Sequence, residues 1–423
     1  MISRIRNLFN FAYRAEQYAD LLSRVENRSG TQVEFRVAET PIFVERSVLD
    51  EMATAGAELA SRLIGNPDYL SQARAAIPQG YCVGGETPHP NFLTADFALV
   101  RDGAGELAPR LVEIQAFPSV YGYQVELCSA YRETYKLDDS LQCFLGGLDE
   151  SAYWELLRRA VAGKHDPEQV VLTEVDPLHQ KTRPDFAVTA RKLGISVVDI
   201  ADVIPDGDGL TYRSPAGTRI PIRRIYNRAI ADELIARDIQ LQFDLTRDWD
   251  VEWAGHPNWY FLISKFSIPW LMKPGKAAEV VPPAVFLSDF LDGNGREELQ
   301  RAGVKLEKGP DAVYPSLLLK PLFSFAGKGI QFEPSQKDLE AIPKNLRANY
   351  LLQQRMHFVP TIETPHGLTQ AEIRILYLWP DDGELTPAIS LVRLGRGKMM
   401  GVDHNRNQEW VGASAAFYPE TRI

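Results

Sequence analysis

The sequence is poor in several of the features that settle function at a glance. It has only three cysteines in 423 residues, Cys82, Cys128 and Cys143, with no short spacing between them. That excludes a disulfide-built scaffold and a Cys-based zinc or redox motif at close spacing, and an odd number of thiols suits a reducing compartment, so the cytoplasm is expected. No apolar run approaches the roughly 18–20 residues of a membrane helix. The basic opening Met1–Arg6 is followed by Glu16 and Asp20 and by no small-residue cleavage site, so a packed surface helix is expected there rather than a leader. Positive charge is scarce: 46 Lys and Arg against 56 Asp and Glu leave a net charge of −10, and the basic residues are dispersed, which argues against nucleic acid as a partner. None of the seven histidines has zinc spacing, no Gly-x-Ser-x-Gly elbow marks a hydrolase, and no glycine fingerprint follows the first βαβ strand.

What the chain does have is enough apolar residues, 45%, for more than one core. Four regions are expected. Residues 1–80 read as helical, with Ser47 capping a helix whose stripe is Leu49, Met52, Ala53, Leu59, Ala60 and Leu63, stopped by Gly65-Asn66-Pro67. Gly56 lies on that stripe and weakens it. Residues 81–150 turn to strand character, clearest over 93–125, where Phe97–Val100 and Leu111–Ile114 flank the turn Asp102–Gly105. Residues 151–255 have a βαβ pattern: strand Val170–Leu172, helix Pro184–Leu193 closed by Gly194, strand Ile195–Val198, continuing through Ile222–Ile225. Residues 256–423 alternate helices and strands.

The chemistry concentrates in the last region and in the hairpin. The strand Leu317–Leu319 delivers Lys320-Pro321 to a small-residue loop, Ser324–Gly329. There Gly327 and Gly329 permit the backbone to turn its N–H groups towards phosphate oxygens, and Lys320 and Lys328 supply charge. An ordinary glycine hairpin is the other reading of that segment. Upstream stand Ser264-Lys265-Phe266 and Val281-Pro282-Pro283. Downstream come Tyr350-Leu351-Leu352-Gln353-Gln354, Ala371-Glu372-Ile373-Arg374, Leu391–Arg396 and Asp403–Asn407. In the hairpin, Asp96 opposes Glu113-Ile114-Gln115, and strand alternation sets Glu113 and Gln115 on one face. Two carboxylates and a neutral carbonyl suit Mg²⁺.

In this order the segments resemble the ATP-grasp superfamily, and the early metal strands resemble its circularly permuted, glutathionylspermidine-synthetase-like and glutathione-synthetase-like members. The resemblance implies an α/β (α+β) ATP-grasp fold with a βαβ domain before the nucleotide-binding subdomains. It implies ATP held by Lys265, Lys320, Ser324, Gly327, Lys328, Gly329, Gln353, Gln354 and Glu372, and Mg²⁺ held by Asp96, Glu113 and Gln115. Arg374, Arg393 and Arg396 would stabilise the phosphoryl group in transfer. The activity implied is ligation of a carboxylate to an amine or thiol through an acyl phosphate, with small-molecule acid and amine partners. A nucleotide-binding regulator and a small-molecule phosphotransferase are the alternatives. Gln115 stands where relatives carry Asn, Thr94 where they carry Arg, and the hinge bears Gln where Glu is frequent. Asn227 and Arg228 after the central strand, and Asn405 and Asn407, are candidate substrate contacts. Arg228 reads equally as a helix start; Glu174–Pro177 follows the first βαβ strand, where a ligand-facing place is one reading and a helix cap the favoured one.

Overall fold

The computed structural model describes residues 1–272, 276–323, 329–398, 400–401, 405 and 407–420. Its main body is one large, mostly antiparallel sheet whose neighbours come from opposite ends of the chain. In spatial order the strands are Ile42–Phe43, Gly412–Pro419, Thr386–Gly395, Gly367–Leu378, Phe92–Arg101 and Leu107–Gln115, with Ile362–Thr364 and Leu141–Gln142 attached at its margins. The hairpin Phe92–Arg101/Leu107–Gln115 forms as its alternation and its Asp102 turn require. The Asp102 carboxylate accepts from the N–H groups of Ala104 and Glu106.

Helix Arg46–Ile64 covers one face of the sheet, with the whole expected stripe buried. Gly56 has a reason to be there: a Cβ at that position would stand 2.2 Å from the Tyr377 hydroxyl, which donates to the carbonyl of Ala53. The helix starts two residues earlier than expected, at Arg46. Ser47 is therefore inside the first turn, and the preceding Glu45 gives no side-chain cap. Arg46 instead reaches Asp50 across that turn at 3.3 Å.

The other face of the sheet is covered by helix Tyr121–Tyr135, which corrects the expectation that strand character runs on to residue 125. Eleven of its residues are buried, so it has little amphipathic pattern to read. Tyr121 donates to the carbonyls of Leu93 and Tyr377, and the Gln124 amide donates to Ser390 and Ser414, pinning helix to sheet. Beneath it Cys128 and Cys143, unpaired by spacing, are neighbours; the Cys143 contact and burial push the Cys128 thiol up.

The central unit is a four-stranded parallel sheet, Glu252–Ala254, Arg224–Asn227, Val170–Glu174 and Ser196–Asp199. Helix Arg183–Leu193 makes the crossover and ends on Gly194 at φ +72°. The expected continuation through Ile222–Ile225 divides: Arg219–Ile222 belongs to a separate three-stranded antiparallel sheet, and only Arg224 onward enters the parallel one. A third layer, Ala284–Phe286, Tyr350–Gln354, Leu317–Pro321 and Gln331–Phe332, is antiparallel and brings the Lys320 strand beside the hinge strand. Among the described residues no helix is long and apolar enough to cross a membrane.

Candidate active site

One cleft of about 1420 Å³ lies where these three units meet. The large sheet supplies its most highly charged wall through a simple periodicity. Along Gly367–Leu378, Leu378 and Leu376 lie beneath helix Tyr121–Tyr135, and the next residues on that face are Arg374 and Glu372, which reach the cleft. Neighbouring strands repeat the pattern, with Ile389 and Leu391 leading to Arg393, and Phe92 and Thr94 to Asp96. The register sets Arg374 opposite Asp96, Asp96 opposite Glu113, and Glu372 opposite Arg393. A bulge beside Asp96 adds Val112 to the second hairpin strand, so Val112 and Glu113 both line the cleft while Leu111 and Ile114 stay buried.

These charges form a network. Arg374 grips Asp96 with two hydrogen bonds, Nε to Oδ1 at 2.5 Å and Nη2 to Oδ2 at 2.7 Å, and gives a third to the Ser119 hydroxyl at 3.0 Å. Arg393 donates to Asp96 and to Glu372, the latter at 2.5 Å. Asp96 is 1% exposed. Burial opposes its charge, but the two guanidiniums outweigh burial and hold its carboxyl below the usual range. Burial pushes Glu372 the other way, up, with Asp96 and Glu113 adding to the effect.

Two lysines approach from the remaining sides. Lys265 opens a short 3₁₀ turn that Ser264 caps, and its ammonium lies 3.7 Å from Glu113. Lys320 ends its strand facing the cleft at 4% exposure, and burial pulls it down to about 8, with Lys265 adding to the fall. Gly329, at φ +78°, lines the same space. Ser324, Gly327 and Lys328 lie outside the described residues, as do Asp403, His404 and Arg406.

Gln353 is fully buried on the face it shares with Leu318 and Phe332, both of which line the cleft, and neither amide atom has a partner. Gln354 points to the opposite face of its strand and does not line the cleft. Past it, Arg355, Met356, His357 and Phe358 continue along the cleft; only a return of chain after the hinge would have drawn attention to them.

The central unit closes the far end. Glu174 sits at the carboxyl end of its parallel strand, 5% exposed, accepting from the N–H of Val175; burial pushes it up to about 8 against the pull of Arg228. Glu174 thus takes the ligand-facing place and caps no helix. Arg228 lies between the rings of Phe117 and Phe186, donates to the carbonyl of Pro118 and stands 3.5 Å from Asp185. Asp185 in turn accepts from the first N–H groups of helix Tyr121–Tyr135, and burial pushes its carboxyl up. The turn into that helix is strained: Val120, a β-branched residue, sits at φ +50° directly after Ser119.

Several expected residues stand elsewhere. Asn227 is turned to the carbonyl of Ala229, and Asn405 is buried against Gly395 and Gly401; neither lines the cleft, nor does the exposed Asn407. Arg396 does line it, braced by the carbonyl of Glu409 and the Thr364 hydroxyl. Glu113 and Gln115 face the cleft as the strand pattern requires, but Asp96 does not reach it. Asp96 is a correction in its placement: three hydrogen bonds from Arg374 and Arg393 hold it behind the cleft wall and not on it. Among the described residues no three His, Cys, Asp or Glu side chains are grouped to hold a metal ion.

No family model matches the chain, and no curated protein matches it. Among solved structures it is similar to the apo form of a glutathione synthetase-like effector from Globodera pallida, with a TM-score of 0.54 and 11% identity over 96% of each chain. At that identity the likeness is one of fold: the chain has a mixed α+β, ATP-grasp-like architecture similar to that of a glutathione synthetase-like protein.

Proposed function

We propose that the chain is an ATP-dependent ligase of circularly permuted ATP-grasp type, joining a small carboxylic acid to an amine or thiol. The observation that carries this reading is a single cleft with two chemically different ends. At one end Lys265, Lys320, Arg393 and Gly329 converge beside an apolar slot formed by Leu318, Phe332, Met356 and Phe358. These groups suit a nucleotide with its phosphates. At the other end Arg228, Glu174 and Ser119 suit a small substrate bearing carboxylate and amine groups.

In this arrangement the arginines and lysines stabilise charge as a carboxylate oxygen attacks the terminal phosphorus and ADP departs. Bond formation by the amine to the acyl carbon then expels phosphate and releases a proton. Glu174, which lines that end of the cleft, is the group we assign to accept it once ionised. The Asp96, Glu113 and Gln115 set does not fit a Mg²⁺ site as arranged, so no step is assigned to a metal. Three free thiols agree with a cytoplasmic setting.

Release of ADP and phosphate from ATP, assayed against a panel of amino acids, short peptides and polyamines, tests the reading. Turnover is expected only when acid and amine are both present, and Lys320→Met and Arg228→Ala should each abolish it. A second reading, nucleotide binding without ligation, draws on the closure of Asp96 by two arginines. It is favoured if ATP binds and no member of the panel produces ADP.

A further inference from the structure

The cleft carries a charge pattern that the whole chain does not. In a protein of net charge −10, the cations lining its phosphate end include, among the described residues, Lys265, Lys320, Arg374, Arg393 and Arg396. Three carboxylates accompany them, Glu113 and Glu372 at the surface of the cleft and Asp96 behind it. Asp96 is engaged in orienting guanidiniums: two hydrogen bonds from Arg374 and one from Arg393 hold it behind the cleft wall. Glu372 holds Arg393 from the other side. Despite these anchors, the Nε atoms of Arg393 and Arg396 are buried without any partner, although both side chains line the cleft. Those Nε atoms are closed off from the cleft, and the donors an anion there would meet are the outer guanidinium N–H groups of the lining arginines.

We infer that this cleft meets the charge of a bound polyphosphate with side-chain cations alone. Asp96 and Glu372 serve as positioning residues for Arg374 and Arg393, and a divalent cation is not required for binding. This rests on reading the cleft as a phosphate site, and it departs from what the ATP-grasp resemblance implies. Two rigidly held guanidiniums replace the metal as the fixed positive centre. Their planar donors suit phosphate oxygens, and carboxylate anchoring removes much of the entropy that free arginines would lose.

The test is isothermal titration of the full chain with ATP and, separately, with inorganic tripolyphosphate, each in EDTA and in excess Mg²⁺. Both ligands are expected to bind in EDTA with affinities within about threefold of those in Mg²⁺. Removing an acid from the cleft by Glu113→Gln should tighten tripolyphosphate by about tenfold in either buffer. Arg393→Gln should weaken it by the same factor in both. Loss of more than about tenfold in affinity on chelation, or a Glu113→Gln variant weakened only when Mg²⁺ is present, overturns the inference. Tripolyphosphate binding in EDTA with no ATP binding would keep this inference and sink the nucleotide reading. ATP binding confined to Mg²⁺ would do the reverse, and no binding of either ligand would sink both.

Discussion

The two ends of the cleft solve the problem of buried charge in opposite ways. On the large-sheet wall every acid is matched: Asp96 by Arg374 and Arg393, Glu372 by Arg393, and Glu113 by Lys265 and Arg374 at 3.7 Å each. On the central wall Glu174 accepts only from its neighbouring N–H, the Asp185 Oδ2 and Arg228 Nε atoms are buried without hydrogen-bond partners, and burial has raised both carboxyl groups. The first wall leaves no acid unmatched in the absence of a ligand, although the Nε atoms of Arg393 and Arg396 are buried without partners there too. The second holds free energy that a substrate of the right charge releases on binding.

Breaking the matched wall should cost most. Arg374→Met leaves Asp96 charged and stripped of its bidentate partner, and about 3–5 kcal/mol of stability is expected to go, read by urea denaturation. Arg228→Met on the other wall should cost about 1–3 kcal/mol; equal losses would erase the contrast. Next is Glu174→Gln. The folded carboxyl is pushed up to about 8 against 4.5 for an ordinary exposed glutamate, so the folded state binds more protons between those values and wild-type stability falls as pH rises through them. The variant should match wild type near pH 4.5 and exceed it by about 1–3 kcal/mol above pH 8, measured by denaturation across pH.

Lys320, on the third layer across the cleft, tests the matched wall from the opposite sign. Its folded value of about 8 lies below the ordinary 10.5, so the unfolded chain binds more protons between the two and stability rises with pH across that window. Lys320→Met should lose this rise and weaken ATP by about tenfold or more at neutral pH. Wild-type binding should take up protons near pH 8, seen as a buffer-dependent heat. The smallest effect belongs to Ser119→Ala, which removes one of Arg374's hydrogen bonds and should cost about 1 kcal/mol, checked by thermal denaturation.

How much of this could be read from residues alone depended on how local the cause was. The hairpin, the Arg46–Ile64 stripe and the Gly194 stop are written in periodicity and turn chemistry, and they formed accordingly. Helix Tyr121–Tyr135 was hidden because burial on nearly all sides erased its stripe. In the site, alternation placed Glu113 and Gln115 on the cleft. It could not show that Arg374, far away in the chain, would be set opposite Asp96 and claim it, since register between remote strands is a tertiary outcome. Glu174 was visible as a strand end, but not the burial that moves its proton. Asn405 and Asn407 were suggested by the likeness of their segment to an Arg…Asn…Gly pattern, and amides brace turns as readily as they bind ligands.

The pairing of Phe92–Arg101 with Gly367–Leu378 has a consequence for how the molecule comes into being. A ribosome releases the hairpin long before the strand that covers its open edge. Until then an apolar ribbon carrying Phe97, Leu99 and the uncompensated Asp96 is exposed to any other extended chain. With its principal contacts so distant in sequence, the sheet must assemble late and slowly. Yield in a host cell should therefore depend on chaperones that shield nascent strands and on growth temperature more than the stability of the finished fold would suggest.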